Sequence, residues 1–283
     1  MYPPKFDYHR ASSVQEAIAL RKEHDGKFMA GGHSLIPVMK LRLADPGCIV
    51  DIGRIDDLRG INQNNGSIKI GSLTTHAMVE GSDTLPDALP EAASWIGDPM
   101  VRNRGTVGGN IAHADPASDL PTVLTALGAT MEVTGEGGSR NVSADDFFTG
   151  LFETAMDEDE LLTGVSVPAK SSGTGTAYSK LFNPASRYAI VGAAVSVKMN
   201  GSTCESASVA IGGLVPAAQR CDSVEAALAG KEMTDENIEA AAAAVVSDLG
   251  DDIMSDIHAS ADYRREMASV FVKRAIKKAV DRA

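Results

Sequence analysis

The residues best suited to chemistry in this chain lie in two glycine segments. Ala30-Gly31-Gly32-His33-Ser34-Leu35 sets paired glycines between an apolar extended run and a helical one. Glycine accepts positive φ, so successive backbone N–H groups can converge on one point and bind a phosphate. A Gly-Gly turn between strand and helix is also ordinary punctuation, and this loop alone leaves both readings open. Further along, Arg104-Gly105-Thr106-Val107-Gly108-Gly109-Asn110 repeats the recipe, with Thr106 and Asn110 as side-chain hydrogen-bond partners. Two such loops suggest two phosphates, hence a dinucleotide such as FAD or NAD held by backbone donors and helix ends. Asp115 and Asp119 follow, flanking Pro116-Ala117-Ser118. Carboxylates there could accept hydrogen bonds from ribose or ribityl hydroxyls, or Asp119 could cap the helix that begins at Leu120.

Those loops need elements to hold them. Ser13-Val14-Gln15-Glu16 has the form of a capping box ahead of a helix from about Val14 to His24, after an extended start at Phe6 to Tyr8. Lys27 to Ala30 and Cys48 to Ile52 read as strands, with helical spacing over 33–43 between them. From Leu58 the pattern shortens, and Asn65-Gly66 marks a hairpin between Ile61 and Ile70. Helical stretches over 75–80, 86–95 and 120–127 and strands over 130–134 and 161–168 complete this part. The polar run Ala169 to Gly175 reads as a linker, placing a domain boundary near residue 172. Beyond it come three strands, near 178–182, 189–199 and 207–214, then two or three helices, the last over 260–280.

Composition narrows the function. The chain has 283 residues, 43% of them hydrophobic, enough for two domains with cores. Its 38 acidic against 26 basic residues give a net charge of −12, which disfavours nucleic acid and anionic lipid as partners. The N-terminus lacks the apolar run of a signal peptide and no apolar stretch is long enough to span a membrane, so a cytoplasmic setting is expected. Cys48, Cys204 and Cys221 are too scattered for a disulfide framework or an all-cysteine iron–sulfur site. The six histidines show no ligand spacing, so no metal site is expected, and Ser34 has no His and carboxylate pairing to make it a nucleophile. The run Asp157 to Glu160 reads as a solvated turn, and the Leu and Met positions of 35–43 as core.

Ala30 to Pro37, Arg104 to Asn110, and the late Tyr263-Arg264 with Lys273-Arg274-Ala275 together resemble the FAD-binding medium subunits of the molybdenum hydroxylases, most nearly those of the aerobic carbon monoxide dehydrogenases. The resemblance runs over essentially the whole chain. It implies an α+β fold: a two-lobed FAD-binding domain of the vanillyl-alcohol oxidase type over 1–172 (lobes about 1–55 and 56–172), then an α+β C-terminal domain over 173–283 with a three-stranded antiparallel sheet and a helical bundle. It further implies that Ala30, Gly31, Gly32, His33 and Ser34, with Thr106, Val107, Gly108, Gly109 and Asn110, hold the FAD diphosphate. Asp119 would contact the ribityl or ribose part, Leu162 would approach through its backbone, Lys180 would lie near the isoalloxazine, and Tyr188 by the ring face or edge. Arg187 departs from the family, whose members usually carry an acidic residue before that tyrosine.

The function so implied is electron transfer. FAD takes electrons from [2Fe-2S] clusters on a small partner subunit and passes them to an external acceptor, while substrate is oxidised at a molybdenum cofactor on a large subunit, the whole a dimer of heterotrimers. No catalytic residue is expected on this chain. A self-sufficient flavin oxidase or reductase is the alternative, and an interaction protein whose glycine loops are only turns is a third reading.

Overall fold

The computed structural model describes residues 2–283. Its first lobe follows from local rules. Ser13 Oγ accepts from the Glu16 N–H (3.1 Å) and starts the helix Val14–His24. The Glu16 carboxylate reaches back one residue further than a capping box requires, to the Ser12 N–H (2.7 Å). Strand Cys48–Asp51 lies between Asp7–Arg10 and Lys27–Met29, parallel to both. The helix expected over 33–43 spans only Leu35–Lys40. Arg42 turns left-handed at φ +62°, and Leu41 and Leu43 lie exposed instead of in the core.

The second lobe is a five-stranded antiparallel sheet in the order Ile61–Asn64, Ser67–Gly71, Leu161–Pro168, Thr130–Gly135, Gly138–Ser143. Asn65 (φ +41°) and Gly66 (φ +85°) form the predicted two-residue hairpin turn. The last strand in sequence, Leu161–Pro168, takes the centre of the sheet, and its register slips between Leu162 and Gly164. Helices Ala88–Ser94, Val107–His113 and Asp119–Ala126 share one hydrophobic core with this sheet.

The C-terminal sheet has four antiparallel strands rather than three: Thr174–Phe182, Ala189–Asn200, Thr203–Gly212 and Gln219–Arg220. The fourth is two residues long and pairs only with Ala210 and Ile211, too short to leave a period in the sequence. Four helices, one more than the upper expectation, follow: Asp222–Leu228, Asp235–Ala243, Val245–Asp248 and Ala261–Val280. The last carries buried Arg264, whose Nη1 donates to the carbonyls of Ile190 (2.8 Å) and Gly213 (2.7 Å) while Nη2 pairs with Asp256 (2.7 Å).

Two features join this sheet to the second lobe. Every residue of Asp119–Ala126 is buried, and Ser208 Oγ donates to the carbonyl of Ala126 (2.6 Å). The Glu91 carboxylate accepts from the Tyr178 N–H (2.9 Å), from Arg282 (2.9 Å) and from Lys278. The interface therefore has both an apolar wedge and an ionic clamp.

Candidate functional site

The two lobes and the C-terminal loop 183–188 meet around a cleft of about 630 Å³. The first glycine loop forms part of its wall. Gly32 sits at φ +73°, and the N–H groups of Gly31, Gly32, His33 and Ser34 have no acceptor within the described residues. Four unpaired amides on one short loop are costly unless water or a ligand satisfies them. Gly31 serves a different purpose: a Cβ at that position would overlap the carbonyl oxygen of Arg104, so only glycine lets the two glycine segments touch.

The second segment is not the second open nest that its sequence suggests. Val107 donates to the Thr74 carbonyl (2.9 Å), Gly108 to the Ser72 carbonyl (2.8 Å) and Gly109 to Thr106 Oγ1 (3.1 Å). Gly108 is glycine because a Cβ would run into Ser72. What remains for a ligand is Asn110: its Oδ1 accepts from Ser118 Oγ (2.7 Å), and its Nδ2 has no partner among the described residues. The backbone amides left without an acceptor among the described residues are therefore those of 31–34, with the second segment as a close-packed wall.

Asp119 does not cap its helix. It sits in the first turn with its carboxylate turned inward, accepting from Tyr178 Oη (2.6 Å) and, at both oxygens, from Lys180 Nζ (2.8 Å each). The Lys180 side chain is wholly buried and also donates to the carbonyl of Arg187 (2.6 Å). Burial pushes Asp119 up and Lys180 down, and their mutual attraction opposes both shifts. Burial also holds the Tyr178 phenol well above its ordinary value, so it stays a donor to Asp119.

All the expected contact residues line the cleft except Val107, which is buried beneath it, and Lys180, which stands behind Asp119. Lys180 instead anchors the turn that presents Tyr188. Arg187 lies at φ +62°, and Asn183 Oδ1 accepts from the N–H groups of Ala185 (2.9 Å) and Ser186 (3.2 Å). Tyr188 is half exposed at the cleft, with burial of its ring raising its phenol above the ordinary value. Leu162 lines the cleft beside the register slip, which frees its strand from regular pairing there.

Several lining residues carried no sequence signal. The turn at 157–160 forms as expected and leaves Glu158 in solvent, but its last residue, Glu160, folds back onto Arg140 through two 2.6 Å contacts and accepts from the Asp157 N–H (2.8 Å). Phe152, at φ +57°, lies 5.1 Å from the His113 ring. Ser72 and His76 also line the cleft, and Ser72 Oγ and His76 Nδ1 are buried with no hydrogen-bond partner. Orphaned polar atoms in the wall of a cleft beside four unpaired amides fit a polar, hydroxyl- and phosphate-rich ligand. No group of three metal-ligating side chains occurs among the described residues.

Burial, reinforced by the charges of His33 and Arg102, pushes His76 down to about 4. The unfolded chain protonates this ring near pH 6.5 and the folded chain only near 4, so His76 removes stability as pH falls between those values. The full effect is about 3 kcal/mol. Urea unfolding from pH 7 to 4 should show this loss in the wild type and a shallower one in His76→Gln; equal slopes would refute the assignment.

A family described as the FAD binding domain in molybdopterin dehydrogenase matches residues 4–170, and one described as the CO dehydrogenase flavoprotein C-terminal domain matches 176–279. The chain is 40% identical to the carbon monoxide dehydrogenase medium chain of Hydrogenophaga pseudoflava, covering 99% of this chain and 98% of that one. It is 39% identical to the glyceraldehyde dehydrogenase medium chain of Sulfolobus acidocaldarius, over 98% and 99% of the two chains. A solved carbon monoxide dehydrogenase from H. pseudoflava that lacks the Mo-pyranopterin moiety superposes with a TM-score of 0.95 at 42% identity, covering all of both chains.

Proposed function

This chain belongs to the family of FAD-binding medium subunits of the molybdenum hydroxylases, and from that premise we propose that it is an electron-transfer subunit. Electrons would reach it from iron–sulfur centres on a small partner subunit and leave to an external acceptor. Substrate would be oxidised at a molybdenum cofactor on a large subunit, in a cytoplasmic dimer of heterotrimers. Bound FAD supplies the redox chemistry, accepting electrons singly or in pairs.

The observation that carries this reading is the set of four unpaired N–H groups at Gly31 to Ser34 in the cleft wall. They would hold the diphosphate oxygens without any basic side chain. Asn110 Nδ2 would add a side-chain donor. The Asp119 carboxylate, fixed by Tyr178 and Lys180, would accept from a ribityl or ribose hydroxyl. Tyr188 would close the ring end of the cleft on a turn held by Asn183 and Lys180. Cys48, Cys204 and Cys221 are each buried and free, which is in keeping with clusters lying on another chain. No helix among the described residues is long and apolar enough to cross a membrane.

Relatives named for carbon monoxide and for glyceraldehyde differ by a single percentage point in identity to this chain, so the substrate would be chosen by the large subunit. The test is reconstitution. Purified chain titrated with FAD should bind one equivalent, remain inert toward oxidisable substrates by itself, and gain turnover only with the small and large subunits. Substrate turnover with oxygen by the chain alone would favour a self-sufficient oxidase, and absence of FAD binding would refute both readings.

A further inference from the structure

On the far side of the contact between the two glycine segments lies a second cleft, of about 260 Å³. Arg10, Arg54, Arg59 and Arg104 line it, drawn from three separate stretches of chain, together with Asn103 and Thr75. Asp51 is the only carboxylate in its wall among the described residues, and it is already engaged by Arg10 (3.2 Å), by Tyr8 Oη and by the Gly53 N–H (2.8 Å). Arg59 spends its guanidinium on the Gly53 carbonyl and a distant 3.9 Å approach to Asp56. The guanidinium groups of Arg54 and Arg104 have neither a carboxylate nor a hydrogen-bond partner among the described residues.

This concentration of positive charge is out of keeping with a chain of net charge −12, in which acidic partners are plentiful. Guanidinium groups gathered into one concavity repel each other, and an anion entering it would relieve that repulsion and gain charge-assisted hydrogen bonds. The forked donors of arginine suit a tetrahedral oxyanion, and the size of the cleft suits a phosphate or a small phosphomonoester. We propose that the arginine cleft is a second anion site, specific for a phosphoryl group and separate from the site of the dinucleotide. The two sites share a wall at Ala30, Gly31 and Thr106, so an anion here would rest against the back of the loop whose amides face the main cleft.

The experiment uses the full-length, flavin-loaded chain and isothermal titration with inorganic phosphate and with adenosine monophosphate, ionic strength being held constant with chloride. One equivalent of phosphate should bind, and Arg54→Gln with Arg104→Gln should weaken it by roughly a hundredfold, while flavin content stays unchanged. Adenosine monophosphate binding much more tightly than phosphate would identify the ligand as a phosphomonoester, and equal affinities would identify it as the free anion. Binding that persists in the double variant, or that chloride abolishes as readily as phosphate competes, would overturn the proposal. Because flavin content is read in the same samples, failure here is distinguishable from failure of the FAD assignment.

Discussion

Gly31→Ala should leave the chain folded and nearly free of flavin. The added methyl would overlap the Arg104 carbonyl oxygen, a backbone atom that cannot rotate away, so the two glycine segments must part. Overpacking of this sort costs about 1–3 kcal/mol. Here the strain falls on the loop that carries the four unpaired amides, and their convergence is what a diphosphate would read. FAD affinity should drop by about a hundredfold, or ~2.7 kcal/mol. Gly137→Ala is the matched control, since a Cβ there meets nothing within 4 Å and its φ is ordinary. Flavin-to-protein ratios after gel filtration decide the matter, with circular dichroism as the check on folding. Equal ratios in the two variants would remove the diphosphate assignment from residues 31–34.

The second large effect is expected at Lys180. Lys180→Met removes the one cation that pairs with Asp119 among the described residues, leaving a fully buried carboxylate whose remaining partner among them is Tyr178 Oη. Breaking one side of a buried pair costs about 3–5 kcal/mol. It also releases the Arg187 carbonyl, so the turn bearing Tyr188 loses one of its two anchors and keeps only Asn183. Adding Asp119→Asn to Lys180→Met removes the stranded charge and should recover most of the lost stability without restoring the turn. Chemical denaturation of the wild type, Lys180→Met, Asp119→Asn and the double variant completes a double-mutant cycle. A double variant no more stable than Lys180→Met alone would show that the charge imbalance is not the cause.

What the sequence made legible was local. The Ser13 cap, the Asn65-Gly66 hairpin and the Gly31-Gly32 turn are each decided by residues within a few positions, and each stands where its pattern placed it. What it concealed depends on distant partners. Asp119 reads as a helix cap because the residue that claims its carboxylate lies 61 positions away. The second glycine segment reads as an open nest because nothing near it announces that Ser72 and Thr74 supply acceptors for its amides. Lys180 gives no local sign that its Nζ bonds the Asp119 carboxylate and the carbonyls of Trp95 and Arg187. Ser72 and His76 went unnoticed because an orphaned polar atom is a property of surroundings, not of residue type.

The buried helix Asp119–Ala126 has a consequence for how the protein comes apart. Two family descriptions divide the chain between residues 170 and 176, and a linker there invites the picture of two units that melt separately. Yet that helix belongs in sequence to the first unit while Ser208 of the second bonds its last carbonyl, and all eight of its residues lack solvent on either side. Neither unit has a complete hydrophobic face without it. Thermal unfolding should therefore show one calorimetric transition with equal calorimetric and van't Hoff enthalpies. A protease that nicks the linker would yield two fragments that remain associated and denature as one.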